Sequence, residues 1–324
     1  MIDSNQLRLW AQELGFAETG FCSVEGFEKE RALIETQQKL AERRQLRFFP
    51  EEDEPQGKSL AVLLWPYQPA LKETDEALFV DGYYFASNAA YQAARKLEDR
   101  IIKAGCFAKA NVPYPAKAAA IRAGLGWIGK NSLLHTKQFG TRAVIILMLT
   151  DIEAVEEEAR QEGCKESCLG CNLCIKACPS GALDENGMSH PERCMRNFMM
   201  EGIVAPEHIR EKMGMKLFGC DLCQRACPMQ PEITETNHSQ YKLKDFVTDD
   251  SQAFSQAADR LAREIGRNVA RPQRIRAQAA ILAGNSKNAE YLPVLRQWAQ
   301  LPFEAVSEHA KWAIQRIEME SGGT

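Results

Sequence analysis

The sequence lacks any long hydrophobic run. Its apolar stretches are all shorter than the roughly 20 residues that a membrane-spanning helix requires, which argues against an integral membrane protein. The chain begins with an amphipathic helical pattern, MIDSNQLRLWAQELGF, and not with the charged and then apolar segment of a secretory signal peptide. We therefore expect a soluble, cytoplasmic protein that does not associate with membranes.

A strong excess of charge of either sign is also lacking. The 324 residues carry a net charge of −4, with 26% charged and 45% hydrophobic residues. This composition excludes a disordered, tail-like protein, and the length allows more than one domain. The small net charge neither requires nor forbids a nucleic-acid partner, because local patches decide such binding.

Cysteine is scarce in the first half of the chain and abundant in one later segment. Cys22 and Cys106 stand alone, whereas nine cysteines lie between residues 164 and 227. A disulfide scaffold is typically short and secreted, which this chain is not expected to be. Thiolates at this density favour zinc or an iron–sulfur cluster.

The spacing of these cysteines favours iron–sulfur clusters. Residues 168–179 follow the C-x2-C-x2-C-x3-C-P pattern of bacterial ferredoxins, in which the fourth cysteine ligates a second cube. A partial copy, CDLCQRACP, occupies residues 220–228. We assign one [4Fe–4S] cluster to Cys168, Cys171, Cys174 and Cys227, and the other to Cys178, Cys194, Cys220 and Cys223. Cys164 is left over. The alternative is a pair of four-cysteine zinc knuckles, although zinc sites usually separate their CxxC pairs by longer loops.

Three regions follow from the periodicity, and together they predict an α+β protein. Residues 1–160 mix helical stretches (6–14, 27–44, 91–102) with buried strands (60–65, 143–149) and predict an α/β layer domain. Residues 161–235 form a double-cluster, ferredoxin-type domain that is folded partly by its metals. Residues 236–324 are helical, with helices over 271–282, 290–300 and 306–317 and a turn at 283–288, a pattern that is HEAT-like.

The glycine-rich loop RAGLGWIGKNS, residues 122–132, fits two nucleotide-binding patterns only superficially. Both G-x-G-x-x-G and G-x-x-x-x-G-K require a strand directly before the loop, but residues 116–123 are alanine-rich and helical. Asn131 also stands where a nucleotide triphosphatase needs a hydroxyl. The loop suits a large polar cofactor; the alternative is a tight connection whose glycines only relieve crowding.

The order of these motifs resembles the epoxyqueuosine reductase family, whose iron–sulfur and corrinoid architecture is shared with reductive dehalogenases. The resemblance rests on AGLGWIGKN, an apolar strand, the CxxCxxCxxxCP run, an isolated cysteine, GCDLCQRACP and a helical tail. It implies a nitroreductase-like domain that binds cobalamin, two clusters that reduce the cobalt, and reduction of epoxyqueuosine in tRNA to queuosine. By the same resemblance, Lys130, Asn131 and Ser132 line the corrinoid side and Gln224 lies near the junction of cluster and cobalt. An electron donor and tRNA are the implied partners, and we expect a monomer.

The chain departs from the family pattern at the catalytic acid. The family carries D-T-G-P-V-x-E-R before the glycine loop, and its Asp donates a proton to the substrate oxygen. Here Ala110 takes that place and Ala116 replaces the Glu. Alanine cannot donate a proton, so the acid is unknown. The substitutes considered are Tyr83, Tyr84, Tyr91 and Tyr114, each of which can equally be a packing residue. Arg196 and Asn197 replace a usual Ser-Tyr pair.

A run of arginines in the tail offers contacts for RNA. Guanidinium groups suit phosphate, and such contacts make binding sensitive to salt. The candidates are Arg267, Arg271, Arg274 and Arg276; the alternative is a solvated helix face that pairs with nearby acids. For the whole chain, the alternatives to a corrinoid-dependent reductase are a ferredoxin-type electron-transfer protein and a non-catalytic, RNA-binding paralogue without bound corrinoid.

Overall fold

The computed structural model describes residues 2–40, 57–74, 77–153, 168, 170–185, 189–231 and 241–321. Cys164 and the end of the predicted helix over 27–44 lie outside these ranges. No helix within them is long and apolar enough to cross a membrane.

The first half of the chain contains a four-stranded antiparallel sheet. Its strands are β1 (Glu18–Ser23), β2 (Ser59–Pro66), β7 (Ala143–Thr150) and β4 (Ala108–Ala110), in that spatial order. The helices of this half are α1 (Ser4–Glu13), α2 (Glu28–Leu40), α3 (Gly82–Lys103) and α4 (Ala116–Arg122). The short strands are β3 (Phe79–Val80), β5 (Trp127–Ile128) and β6 (Leu134–His135). The strands predicted at 60–65 and 143–149 are confirmed.

Both faces of this sheet are buried. Along β2, Ala61 and Leu63 pack into one core with α1 and α3, whereas Leu60, Val62 and Leu64 pack into a second core with α4. Because successive side chains of a strand point to opposite faces, a strand with two covered faces reads as an unbroken apolar run. This explains why β2 and β7 lack the alternation of a half-exposed strand.

The second half is largely helical. It contains α5 (Leu173–Ala177), α6 (Met195–Glu201), α7 (Glu207–Lys212), β8 (Lys216–Phe218) and α8 (Leu222–Arg225), followed by α9 (Ser251–Ile265), α10 (Pro272–Ser286), α11 (Leu292–Trp298) and α12 (Glu304–Ser321). Short 3-10 turns lie at Pro191–Arg193, Leu243–Asp245 and Ala289–Tyr291. Strand β8 pairs in parallel with β3. One core runs through β3, β8, α6 and the helices of the tail, so the three predicted regions are packed together.

The predicted turn at 283–288 begins too early. Helix α10 continues through Ser286, and the chain turns at Lys287, whose φ of 57° is left-handed. Gly284, which suggested the turn, lies inside the helix. A Cβ there would lie 2.7 Å from the Trp312 ring and 2.9 Å from Ala313 Cα. This glycine therefore permits the close approach of α10 and α12 and does not end the helix.

A buried hydrogen-bond junction connects the second half of the chain to the sheet. Gln224 Oε1, on α8, accepts from the Tyr67 hydroxyl (2.9 Å) and from Thr141 Oγ1 (3.1 Å). Tyr67 directly follows β2, and Thr141 precedes β7. Burial raises the pKa of Tyr67 well above its ordinary value, so the hydroxyl keeps the proton that it donates. This junction fixes α8 against the ends of two central strands.

Replacing the acceptor of this junction should lower the free energy of unfolding more than replacing one of its donors. Tyr67→Phe removes one hydrogen bond, for which we expect a loss of about 0.5–1.5 kcal/mol in the free energy of unfolding. Gln224→Leu leaves two buried hydroxyls without their acceptor, at about 1–3 kcal/mol each. Anaerobic chemical denaturation of both variants measures the difference. An equal or smaller loss of stability in Gln224→Leu than in Tyr67→Phe would contradict the role of Gln224 as the shared acceptor.

A neutral histidine connects the helical tail to the segment between α6 and α7. His309, on α12, is fully buried. Its Nε2 accepts from the backbone N–H of Ala205 (2.9 Å), and its Nδ1 donates to the carbonyl of Ala277 on α10 (3.0 Å). Burial lowers the pKa of His309 to about 4. Both ring nitrogens are therefore satisfied only in the neutral form.

The contribution of His309 to the stability of the folded protein should disappear at acidic pH. Its pKa falls from 6.5 to about 4 on folding, so the unfolded chain takes up the proton first as the pH decreases. The stabilisation is complete above pH 6.5 and decreases between that pH and about 4. We expect His309→Gln to lower the melting temperature at pH 7.5 and to lower it much less at pH 4.5. The same difference at both pH values would contradict a neutral His309.

Candidate iron–sulfur and cofactor site

Four cysteines from two separate motifs line one small cavity, the cluster cavity. Cys168, Cys171 and Cys174 come from the first motif, and Cys227 comes from the second, where it follows α8. Helix α5 packs against α8 and brings the two motifs together. Burial, and secondarily the neighbouring thiols, raise the pKa values of Cys174 and Cys227. The cavity thus gathers sulfur ligands that lie more than 50 residues apart in the sequence.

The other four cysteines of the motifs line a larger space, the cleft. They are Cys178, Cys194, Cys220 and Cys223. Burial raises the pKa of Cys220 to about 12, with a smaller effect of Cys194. The pKa of Cys223 is raised by burial and by neighbouring thiols, including Cys174 of the cluster cavity. Each group contains the four cysteines that the spacing assigns to one cluster, and the two groups are neighbours.

These thiol groups suit clusters better than single ions. In the part of the chain that the structure describes, no three His, Cys, Asp or Glu side chains are grouped to hold one metal ion. A structural zinc needs four ligands that converge at about 2.0–2.3 Å, whereas a cube binds each thiolate at a different iron. Because a thiol must lose its proton to bind iron, assembly of a cluster releases protons and is coupled to folding.

The glycine loop lies between the cluster cavity and the cleft. Asn131 lines both spaces, and Ser132 lines the cleft. Lys130 lines the cluster cavity, where its Nζ donates to Asn172 Oδ1 (2.9 Å), and it is not among the residues that line the cleft. Two of the three loop residues predicted to face a cofactor therefore lie at the cleft. Gln224, the fourth predicted residue, also lines it.

The glycines of this loop have a steric role. Helix α4 precedes the loop, so the strand that nucleotide-binding fingerprints require is missing there. At Gly126, whose φ is 155°, a Cβ would lie 2.1 Å from the carbonyl oxygen of His135. At Gly129, a Cβ would lie 2.4 Å from His135 Nε2. The missing side chains let the hairpin of β5 and β6 close tightly around His135.

The cleft has the size and lining of a cofactor site. Its volume is about 590 Å³, within the range of roughly 300–1,000 Å³ that is typical of small-molecule sites. Apolar walls from Leu133, Ile145 and Met200 alternate with polar groups. Asn197 Nδ2 is buried at this cleft and has no hydrogen-bond partner among the described residues. A mixed lining with an unused donor fits a large ring cofactor whose edge carries amide groups, as a corrinoid does.

Ala110 does not lie in the cleft. It ends β4 and is buried in the core between the sheet and α3, where its N–H donates to Glu98 Oε2 (3.1 Å). Only Tyr83 of the four candidate tyrosines lines the cleft. Tyr91 is largely exposed on α3, and Tyr114 packs against Phe27. Tyr84 is buried in the large core that extends into the tail, and its hydroxyl accepts from Arg196 Nε (3.1 Å).

The cleft contains an acid that sequence reasoning missed. Asp81 caps α3, where its Oδ1 accepts from the N–H of Tyr83 (3.0 Å), and it is only 4% exposed. Burial, and then the nearby Asp221, raise its pKa to about 6. Its place in the cleft depends on the pairing of β3 with β8, which no local pattern reveals. Perturbed carboxyl groups in clefts are frequent at functional sites.

The arginines predicted to contact RNA do not form one free patch. Arg267 and Arg271 are exposed, although Arg267 lies 3.9 Å from Asp259. Arg274 donates to the carbonyl of Asn268 (2.7 Å), and Arg276 lies over the Phe254 ring at 4.1 Å. Three of the four side chains therefore contact other residues of the tail, Arg267 through an exposed ion pair.

Comparison with known proteins agrees with this arrangement. A family model described as a 4Fe-4S double cluster binding domain matches residues 167–230. The chain is 27% identical to the epoxyqueuosine reductase of Aliivibrio fischeri over 352 residues, covering 97% of this chain and 91% of that protein. It is 26% identical to the enzyme of the same name from Vibrio cholerae, with coverages of 96% and 91%.

Solved structures with a similar fold include the same kinds of protein. A crystal structure of epoxyqueuosine reductase with an epoxyqueuosine-modified tRNA-Tyr stem loop superimposes with a TM-score of 0.76 at 22% identity, covering 97% of this chain and 89% of that one. A catabolic reductive dehalogenase reaches a TM-score of 0.50 at 16% identity, covering 87% of this chain and 36% of that one. Its double-cluster segment and its alignment over more than 90% of the two curated enzymes make the chain similar to epoxyqueuosine reductases.

Proposed function

We propose that this protein is an iron–sulfur reductase that holds two [4Fe–4S] clusters and a cobalamin and reduces epoxyqueuosine in tRNA, or a related substrate. The observation that carries this proposal is the position of Cys178, Cys194, Cys220 and Cys223. They line the same cleft as the glycine-loop residues Asn131 and Ser132. A cluster bound by these four cysteines would adjoin the space in which a cofactor and substrate meet.

The two cysteine groups suggest a route for electron transfer from the cluster cavity to the cleft. The cluster at Cys168, Cys171, Cys174 and Cys227 would accept electrons from the donor, and the cluster at the cleft would deliver them. Cys174, from the first group, is close enough to Cys223, from the other, to raise the pKa of Cys223, which supports transfer between the clusters. Cubes of this kind reach the low reduction potentials that cobalt chemistry demands.

The cofactor would be held by the chain's own polar groups. Ser132 on the glycine loop and Asn197, three residues after Cys194, offer hydrogen bonds from two sides of the cleft. Lys117 Nζ donates to the Ser132 carbonyl (2.8 Å) and fixes this part of the loop. When bound, a corrinoid supplies the strongly reducing metal chemistry that side chains cannot provide. We propose that the sheet domain is the nitroreductase-like half that binds it.

The proton for the leaving oxygen must come from a group other than residue 110. Asp81 and Tyr83 are neighbours at the start of α3, and both line the cleft. Asp81 keeps its proton closer to neutral pH than an ordinary carboxyl does, as a general acid requires. We propose that the acid belongs to this pair.

The substrate is proposed from the relatives and from the surface. The structurally similar reductase binds a tRNA stem loop, and the exposed Arg267 and Arg271 offer phosphate contacts on this chain. We propose that a monomer acts on tRNA in the cytoplasm. The changed acid makes a related substrate the alternative to epoxyqueuosine, and an electron-transfer protein or a non-catalytic paralogue the alternative to a reductase.

Cysteine substitutions should remove clusters in two separable groups. We expect Cys171→Ser and Cys220→Ser each to reduce the iron content of anaerobically reconstituted protein from about eight to about four per chain, because a complete set of four thiolates holds each cube. Cys106→Ser, outside both groups, should keep all eight. Iron and sulfide analysis with electron paramagnetic resonance measures this. Full iron content in either cluster variant would refute the assignment.

Reconstitution with cobalamin tests the function itself. Anaerobic protein supplied with iron, sulfide and cobalamin should retain about one cobalt per chain after gel filtration and, with a low-potential reductant, convert epoxyqueuosine in tRNA to queuosine. The nucleosides are measured by mass spectrometry. Eight irons with no cobalt would favour the electron carrier. Cobalt without turnover would favour a related substrate, and tRNA binding with neither would favour the non-catalytic paralogue.

A further inference from the structure

The hairpin of β5 and β6 holds buried polar atoms that have no partner in the described structure. Among them are Asn131 Nδ2 and His135 Nδ1. The two residues are 5% and 1% exposed, and both line the cluster cavity. A buried donor without an acceptor costs about 1–3 kcal/mol, so an acceptor in the neighbouring cavity would remove a substantial penalty.

The orientation of the Asn131 amide is fixed by its surroundings. Its Oδ1 accepts from the backbone N–H of Leu133 (3.2 Å) and lies 3.1 Å from His135 Nε2. A backbone N–H can only donate, so the atom facing it must be the carbonyl oxygen, and the amide NH2 must lie on the opposite side. His135 Nε2 then donates to the same oxygen, which leaves Nδ1 without a proton in the neutral ring. Asn131 Nδ2 is therefore the donor of this pair.

The arrangement is built by the glycine loop. Gly129 leaves the space that the His135 ring occupies, since a Cβ there would lie 2.4 Å from Nε2. Trp127 stacks on the other side of the ring, with centroids 5.5 Å apart. The histidine is thus held in position, and it holds the carbonyl oxygen of Asn131. Both contacts fix the amide before any ligand enters the cavity.

We propose that Asn131 Nδ2 donates a hydrogen bond to a sulfur of the [4Fe–4S] cluster held by Cys168, Cys171, Cys174 and Cys227. The inference rests on the cluster assignment of the proposed function but not on cobalamin or tRNA. Reduction adds negative charge to the cluster sulfurs, and a fixed donor stabilises that charge. Asn131 therefore raises the reduction potential of this cluster relative to the same cluster without the donor.

The test compares neighbouring loop residues. Asn131→Ala removes the donor, whereas Ser132→Ala, at a residue that lines the cleft but not the cluster cavity, is the matched control. Both proteins are reconstituted anaerobically, checked for eight irons, and titrated with electron paramagnetic resonance detection. We expect one of the two midpoint potentials to become more negative in Asn131→Ala and that same potential to stay unchanged in Ser132→Ala.

A second measurement keeps the inference testable if Asn131→Ala assembles poorly. The reduced protein, with the side-chain amide of asparagine labelled by 15N, should show a nitrogen coupling to the cluster by pulsed electron paramagnetic resonance, both in the wild type and in Asn172→Ala, which lacks the labelled amide next to Cys171. Cys220→Ser, which retains only the other cluster, should keep this coupling. Unchanged midpoint potentials together with no nitrogen coupling would overturn the inference. It would also be overturned if Asn131→Ala weakened cobalamin binding and changed nothing else. Wild-type protein without eight irons would instead overturn the cluster assignment itself.

Discussion

The rest of the structure depends on the return of Cys227 to the cavity of the first cysteine motif. Each group of four thiols takes its members from both motifs, so under the proposed assignment neither cluster can be completed until α5 and α8 have packed together. Metal binding and folding of the segment from 168 to 227 are therefore one coupled process. Gln224 lies between Cys223 and Cys227, and its hydrogen bonds to Tyr67 and Thr141 extend this coupling to the central sheet.

The cleft is a product of the same long-range contacts. One wall comes from the glycine loop and from β7, and the other comes from the segment around Cys194 and from α8. The parallel pairing of β3 with β8 connects these walls and places Asp81 beside the second cysteine group. The hydrogen bonds of His309 extend the support into the helical tail. A shift in any of these contacts would change the distance between the thiols and the loop residues opposite them.

Features set by neighbouring residues could be predicted from the sequence. The runs 60–65 and 143–149 are strands because their side chains fill two cores, and the helix before the glycine loop already excludes a nucleotide fingerprint. The spacing of the cysteines was enough to propose the two groups, although what each group binds stays a prediction. Features set by distant pairing were missed. Nothing near Asp81 in the sequence indicates a cleft, and the close approach of Trp312 to Gly284, which keeps α10 helical, joins residues 28 positions apart.

The packing around residue 110 favours alanine over an acidic side chain. Ala110 is 8% exposed in an apolar core, and its N–H donates to Glu98, a carboxylate that is itself buried and paired with Arg95. An Asp at this position would place a second carboxyl beside the first, and repulsion and burial would both oppose its charge. In this fold, β4 therefore has a reason to carry a small apolar residue at its end. The proposed proton donors lie instead at the start of α3, where Asp81 caps the helix and both Asp81 and Tyr83 line the cleft.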